Sequence, residues 1–317
     1  MLKNDGQFVV RMYHYNYWGN STLSAADNMA LEEFFLADAA EKKRAHIRFY
    51  DFAGDTVVLG YNQATDAVKR WGGEFAIVRR GTGGSHVHVG GNILAYSFVV
   101  PRDGSFRKHP DFRAYYAEKV ARSLEKLGLT DIVVDNDAST IMTGSRVIAS
   151  HALRWGVGSA LLHGIVIITP YDVDKVMNRV HLGYREIGSR VYTEESALRQ
   201  IPTVVQLLPQ IKPNATPEQR EFYFKQILGE TILQEVAGSS FTRQELTDAV
   251  LMAARNMQMP RSTQNWLQHR NPEFTHDVIE ELPGEQLSGP LKSGWGYCLY
   301  IQVPDKDFKK MADPEDK

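Results

Sequence analysis

Residues 79–92 read RRGTGGSHVHVGGN. Two arginines leave a short apolar run, Phe75 to Arg80, that reads as a strand. They enter a turn holding five glycines between Gly81 and Gly91. Glycine permits positive φ and lets backbone N–H groups approach an anion closely. Arginine matches a phosphate or carboxylate with a rigid fork of donors. The composition suits a ligand with clustered negative charge, such as a nucleotide phosphate, and equally a flexible hairpin whose arginines face solvent. No Gly-Lys-Ser/Thr follows, and the G-x-G-x-x-G spacing with its helix is missing, so neither a Walker loop nor a dinucleotide fingerprint is present.

Upstream, Phe8 to Tyr15 reads as a strand. A helix follows, capped by Ser24, with Asp27 in its first turn and Ala26, Met29, Ala30 and Phe34 at helical spacing. Ile47 to Phe52 and Thr56 to Gly60 read as strands joined by a tight Ala-Gly-Asp turn. Downstream, Ile93 to Val100 is a strand, and Phe112, Tyr116, Val120, Leu124 and Leu127 form a helical stripe ended by Gly128. Ile132 to Val134 is a strand, Arg146 to Ala149 and Leu161 to Thr169 are paired strands, and Asp172 to Val180 is helical. A Pro-rich connection, Pro202 to Pro217, precedes helices at Glu218 to Val236 and Thr242 to Met257, and Gly296 to Val303 is a late strand. Irregular alternation with hairpins predicts an α+β fold: a mixed, largely antiparallel sheet with helices on one side.

Other polar residues offer weaker signals. His86 and His88 share a face if they lie on a strand, and with His151 and His163 they would make a metal cluster; hydrogen bonding to loop backbone or ligand is the simpler account. The Asp135–Asn136–Asp137 run closes a strand, where carboxylates either hold hydrated magnesium against phosphates or form an Asx turn. His163 and Gly164 interrupt the apolar run LLHGIVIIT, as a satisfied core histidine or a pocket residue.

Of the 317 residues, 43% are hydrophobic and one is cysteine, Cys298. A chain of this length buries about three quarters of its unfolded surface, so its core needs no metal or disulfide. A single cysteine excludes an intrachain disulfide and a cysteine-cage metal site. With 36 basic and 38 acidic residues, bulk electrostatic binding of nucleic acid is not expected. No apolar run approaches the ~20 residues that span a bilayer, and MLKNDGQFVVRMYHY lacks a secretory core. These features predict a soluble, cytoplasmic protein without a membrane partner.

Taken in order, the segments resemble the lipoate–protein ligase family, within the wider group of biotin and lipoate protein ligases and octanoyltransferases. DNMALEEFFL is similar to that family's Asn-x-Ala-x-Glu-Glu helix, and RFYDFAGDTVVLGYNQ to its strand pair ending in a Gly-x-x-Gln turn. RRGTGGSHVHVGGN resembles its Arg-Arg, Gly-Gly, His, Gly-Asn signature, one residue shorter between Gly84 and His88. DND resembles the Asn-Asp pair, LLHGIVIIT the late His-Gly strand, and NWLQHRNPEFTH the opening of the small C-terminal domain. The likeness spans roughly residues 8 to 275.

The resemblance implies a class II aminoacyl-tRNA-synthetase-like catalytic domain, residues 1–257, and a truncated accessory segment, 258–317. It implies activation of lipoate or octanoate with ATP and Mg2+ to an acyl-adenylate, then transfer to a lysine of a lipoyl domain or glycine-cleavage H protein. By the same resemblance, Arg80 and Arg79 would clamp phosphate and Gly83 and Gly84 would offer backbone donors. Asn136 and Asp137 would hold the adenylate, with Asp137 on the metal, and His88 and His163 would line the pocket. One departure bears on catalysis. The family's Lys-x-Ser/Gly-x-Ala stretch reads RVIASHA here, which puts Val147 in the lysine's place and Ala152 at its end. Arg146 is the neighbouring cation and would serve only if the strand bulges. A non-catalytic lipoyl- or adenylate-binding protein is therefore the competing expectation. A transferase with a cysteine nucleophile would have to use Cys298, in the tail.

Overall fold

The computed structural model describes residues 13–63, 76–144, 146–180, 204 and 212–258, with the backbone of short strands at 3–4, 7–8, 184–187, 190–193 and 302–303. The expected boundary at 257/258 falls at the edge of this region, and Cys298 and the NPEFTH segment lie outside it.

In chain order the principal elements are β1 (Tyr15–Leu23), α1 (Ala25–Lys42), β2 (Ala45–Phe52), β3 (Thr56–Leu59), β4 (Ala76–Arg79), β5 (Val87–Val89) and β6 (Ile93–Pro101). Then come α2 (His109–Lys126), β7 (Ile132–Asp135), β8 (Thr140–Thr143), β9 (Arg146–Trp155), β10 (Ser159–Ile167), α3 (Val173–Met177), α4 (Pro217–Ala237), β11 (Phe241–Arg243) and α5 (Asp248–Gln258). Eight strands form one sheet in the order β11-β1-β2-β6-β10-β9-β8-β7. The β11–β1 and β1–β2 pairs are parallel and the rest antiparallel. A small sheet, β4-β3-β5, stands beside it. This is the expected mixed, largely antiparallel α+β fold.

Helices cover both faces, not one. Every residue of β6 and β10 is buried, and a strand buried at each position needs cover on both sides. Leu94, Tyr96, Phe98 and Val100 pack in one cluster with Phe112, Tyr116, Val120 and Leu124 of α2 and Phe224, Leu228 and Ile232 of α4. The intervening Val99, with Leu161, packs against Leu31 and Phe35 of α1. The α1 cap forms as expected, Ser24 accepting from the Asp27 amide.

Three local expectations are corrected. The first long strand runs from Tyr15 to Leu23 instead of ending at Tyr15. β3 does not pair with β2 across the Ala-Gly-Asp turn, because both edges of β2 are taken, by β1 and β6; the turn is a corner that carries the chain into the small sheet. Residues 241–243 are a strand beside β1, so the helix expected from Thr242 begins at Asp248. The strand β8 has no counterpart among the elements that the sequence pattern predicts.

Candidate functional site

The small sheet presents the glycine loop between β4 and β5. Neither arginine at its start faces solvent: Arg79 is 7% and Arg80 1% exposed. Arg80 donates from Nε to Thr82 Oγ1 (3.0 Å), from Nη1 to Val58 O (3.1 Å), and from Nη2 to Gly83 O and Ser85 O (both 2.7 Å). Arg79 Nη1 donates to Gly60 O (2.7 Å), Tyr61 O (3.2 Å) and Gln63 O (2.6 Å). The two guanidinium groups thus shape the loop and the preceding Gly60–Gln63 turn from within. Gln63 joins them: its Oε1 accepts from the Gly60 amide (3.2 Å) and its Nε2 meets His86 Nδ1 at 2.9 Å. Gly84 sits at φ +96, and a Cβ on Gly60 would overlap its carbonyl, whereas one on Gly83 would meet nothing within 4 Å. The open side of the loop is the backbone at Gly83.

Beneath the loop lies a buried polar chain. Thr82 Oγ1 is 2.6 Å from His163 Nε2, His163 Nδ1 is 2.7 Å from Glu32 Oε1, and the Tyr50 hydroxyl donates to the same carboxylate oxygen at 2.8 Å. His163 is therefore a satisfied histidine that also ties β10 to the loop. Ala152 is its cross-strand partner on β9. Two residues along, Arg154 bonds Glu33 at 2.8 Å, and its Nη1 lies 3.1 Å from where a Cβ on Gly81 would stand. Glu32, Thr82 and Arg154 were not singled out from the sequence. The first two lie inside quoted motifs, and strand parity from Ala152 places Arg154 on the same face.

The four histidines do not converge. His86 lies just before β5 and pairs with Gln63; His88, on β5, meets Arg179 Nη1 at 2.8 Å. Burial, with the Arg179 charge, pushes the His88 pKa down to about 4. His151 is opposite Gly164 and Ala152 opposite His163, so the imidazoles of His151 and His163 lie on opposite faces of the sheet. His151 is fully buried with both ring nitrogens lacking a hydrogen-bond partner among the described residues. Burial and the Arg113 charge push its pKa down to about 3.

At the β7–β8 turn, Asp135 accepts from the Ala138 amide at 2.8 Å, which makes an Asx-type turn. Asn136 Oδ1 is buried without a partner among the described residues, and Asp137 is exposed. That free acceptor fits a ligand N–H. No group of three or more His, Cys, Asp or Glu among the described residues is placed to hold a metal ion. A lone exposed carboxylate still fits magnesium, which keeps most of its water and shares phosphate oxygens.

The register between β8 and β9 shifts: Ile141 opposes Ala149 and Met142 opposes Val147, so Ile148 is the extra residue of a bulge. Ile148 and Ala149 consequently join the same core cluster. Beyond the bulge, Val147 is buried and Arg146 exposed.

The pattern of the lipoyl protein ligase A/B catalytic domain matches residues 24–209. The chain belongs to that family. Its lipoyl-ligase fold recurs in solved structures. A lipoate-protein ligase A bound with ATP aligns with TM-score 0.62 at 18% identity, over 81% of this chain and 99% of that one. A bi-partite lipoate protein ligase from Thermoplasma acidophilum, described with its E2 lipoyl domain, aligns with TM-score 0.58 at 16% identity, over 81% and 98%. LipL1 of P. falciparum in complex with lipoate aligns with TM-score 0.56 at 13% identity, over 81% and 75%. No curated protein matches the chain. Among the described residues, no helix is long and apolar enough to cross a membrane.

Proposed function

We propose that this chain activates lipoate, or octanoate, with ATP and transfers the acyl group to a lysine of a lipoyl domain or H protein. The carboxylate attacks the α-phosphorus, pyrophosphate leaves, and an acyl-adenylate forms. The lysine amine then attacks the acyl carbonyl, AMP departs, and the nitrogen sheds a proton. The observation that carries this reading is the glycine loop, held by Arg80 so that the backbone at Gly83 is left open. Relatives of the same fold bind ATP or lipoate, and one is described with a lipoyl domain.

Two anions have to be brought together, so fixed donors must offset their repulsion. In this reading the amides at Gly83 and Gly84 take phosphate oxygens. Arg80 acts by holding those amides in place and Arg79 by holding the Gly60–Gln63 turn behind them, and Arg154, paired with Glu33 at the loop's edge, supplies a partly exposed positive charge. Asn136 receives an N–H of the adenylate, Asp137 holds magnesium on the phosphates, and Ala152, His163 and His88 wall the pocket.

One observation favours a second reading, an adenylate- or lipoyl-binding protein without catalysis. The bulge leaves Val147 buried and turns Arg146 out to solvent. Losing one preorganised donor costs about a hundred- to a thousandfold in rate.

Incubation with ATP, Mg2+ and lipoate or octanoate, followed by pyrophosphate release and then mass gain on a lipoyl domain, separates the two. Release and transfer support the ligase. A heat shift with lipoyl-adenylate but no release supports the binding protein. Neither response would remove both.

A further inference from the structure

We propose that Glu32 of α1 is a positioning residue for the glycine loop, acting through His163 on Thr82. The kinetic part of this proposal rests on the ligase reading; the structural part does not.

With His163 neutral and Glu32 ionised, the chain of contacts has one consistent set of protons. A carboxylate only accepts, so Tyr50 O–H and His163 Nδ1–H both point at Glu32 Oε1 (2.8 and 2.7 Å). His163 Nε2 is then an acceptor, and the Thr82 hydroxyl must donate to it across 2.6 Å. The Thr82 oxygen in turn accepts from Arg80 Nε at 3.0 Å. Arg80 holds Gly83 O and Ser85 O. The orientation of a helix carboxylate is thereby passed to the backbone around Gly83 through three segments far apart in sequence.

The spacing resembles that of a nucleophile, base and orienting acid. Thr82 is unsuited to that role, since it is 1% exposed and its oxygen already accepts from a cation. What the arrangement does is fix geometry. The Glu33–Arg154 ion pair lies alongside the same loop, close enough that a Cβ on Gly81 would meet both side chains. Of the two adjacent carboxylates of α1, Glu32 is thus hydrogen-bonded to the loop through His163 and Thr82, and Glu33 with Arg154 stands beside it at Gly81. Low-dielectric surroundings strengthen each contact and penalise any partner left unmade.

Amide hydrogen exchange over residues 81–86 tests this in the full chain, comparing wild type, Glu32→Gln, Thr82→Val and Thr82→Ser. Thr82→Val keeps the side-chain volume and removes the hydroxyl; Thr82→Ser restores it. The proposal expects faster exchange in the loop, with α2 unchanged, in Glu32→Gln and Thr82→Val, and recovery in Thr82→Ser. In pyrophosphate release, KM for ATP should rise about tenfold, the size of one lost charge-linked hydrogen bond, in the first two and recover in the third, with a smaller change in kcat. Should Glu32→Gln fail to fold, the Thr82 pair decides. Wild-type exchange in the loop of a folded Thr82→Val overturns the proposal. A wild type that neither binds ATP nor releases pyrophosphate overturns the ligase reading instead, and leaves the exchange comparison valid.

Discussion

Arg80 Nη2 lies 2.7 Å from both Gly83 O and Ser85 O, so one nitrogen bridges the two sides of the glycine turn. A planar fork can serve four acceptors in fixed directions; an ammonium cannot. Arg80→Lys is expected to keep the charge, lose this bridge, and lose most ATP-dependent pyrophosphate release. Arg80→Ala should also lower the unfolding midpoint, since each hydrogen bond from a charged group contributes about 1.5–3 kcal/mol. Denaturant titration and pyrophosphate assays measure both effects. Wild-type release by Arg80→Lys would show that charge alone suffices.

Gly60 and Gly83 make a contrasting pair. A Cβ at Gly60 would run into the Gly84 carbonyl, which is backbone and has to move. Gly60→Ala is therefore expected to displace the loop and abolish the ATP heat shift. A Cβ at Gly83 meets open space. Gly83→Ala should keep the wild-type melting temperature, yet weaken ATP binding if nucleotide lies against that face. Equal effects of the two substitutions, measured by thermal shift with and without ATP, would count against the assignment of the open side.

Val147 and Arg146 give a third test. Arg146 is exposed, so Arg146→Ala should change stability by less than about 0.5 kcal/mol and leave pyrophosphate release as it was. Val147→Lys should raise release, if this position corresponds to the family lysine. No gain in a folded Val147→Lys, together with loss in Arg146→Ala, would reverse the reading of the bulge.

Acid should destabilise the protein before its carboxylates titrate. Burial pushes the pKa of His46 down to about 4, of His88 to about 4 and of His151 to about 3, against an ordinary 6.5. The unfolded chain therefore takes up protons first. Stability is complete above about pH 6.5 and falls as pH drops toward 4. Urea titrations between pH 7 and 4.5 should show this slope. His151→Leu, which replaces an imidazole lacking partners among the described residues, should make the slope shallower without loss of stability at pH 7. An unchanged slope would mean that His151 is hydrated or paired in solution.

The motifs that brought the site to notice are local. RRGTGG, the Gly60-to-Gln63 turn, the DND run and the His163–Gly164 pair can each be found by reading along the chain, as can the α1 cap and the stripe on α2. The direction in which Arg80 points cannot. The resemblance implies a phosphate clamp for both arginines; that they hydrogen-bond to neighbouring carbonyls is invisible in a string of letters. Nor could parity along β9 be counted through Ile148, where a bulge reverses which residue turns inward.

Residue types and their spacing were enough to indicate the α+β class and the presence of a glycine loop, since these follow from periodicity and short-range backbone chemistry, while the family was legible only as a resemblance of the ordered motifs to its signature. Folding settled what each polar group touches. Glu32, Thr82 and His163 are up to 131 positions apart, and the hydrogen bonds that unite them exist only once α1, the small sheet and β10 are packed together.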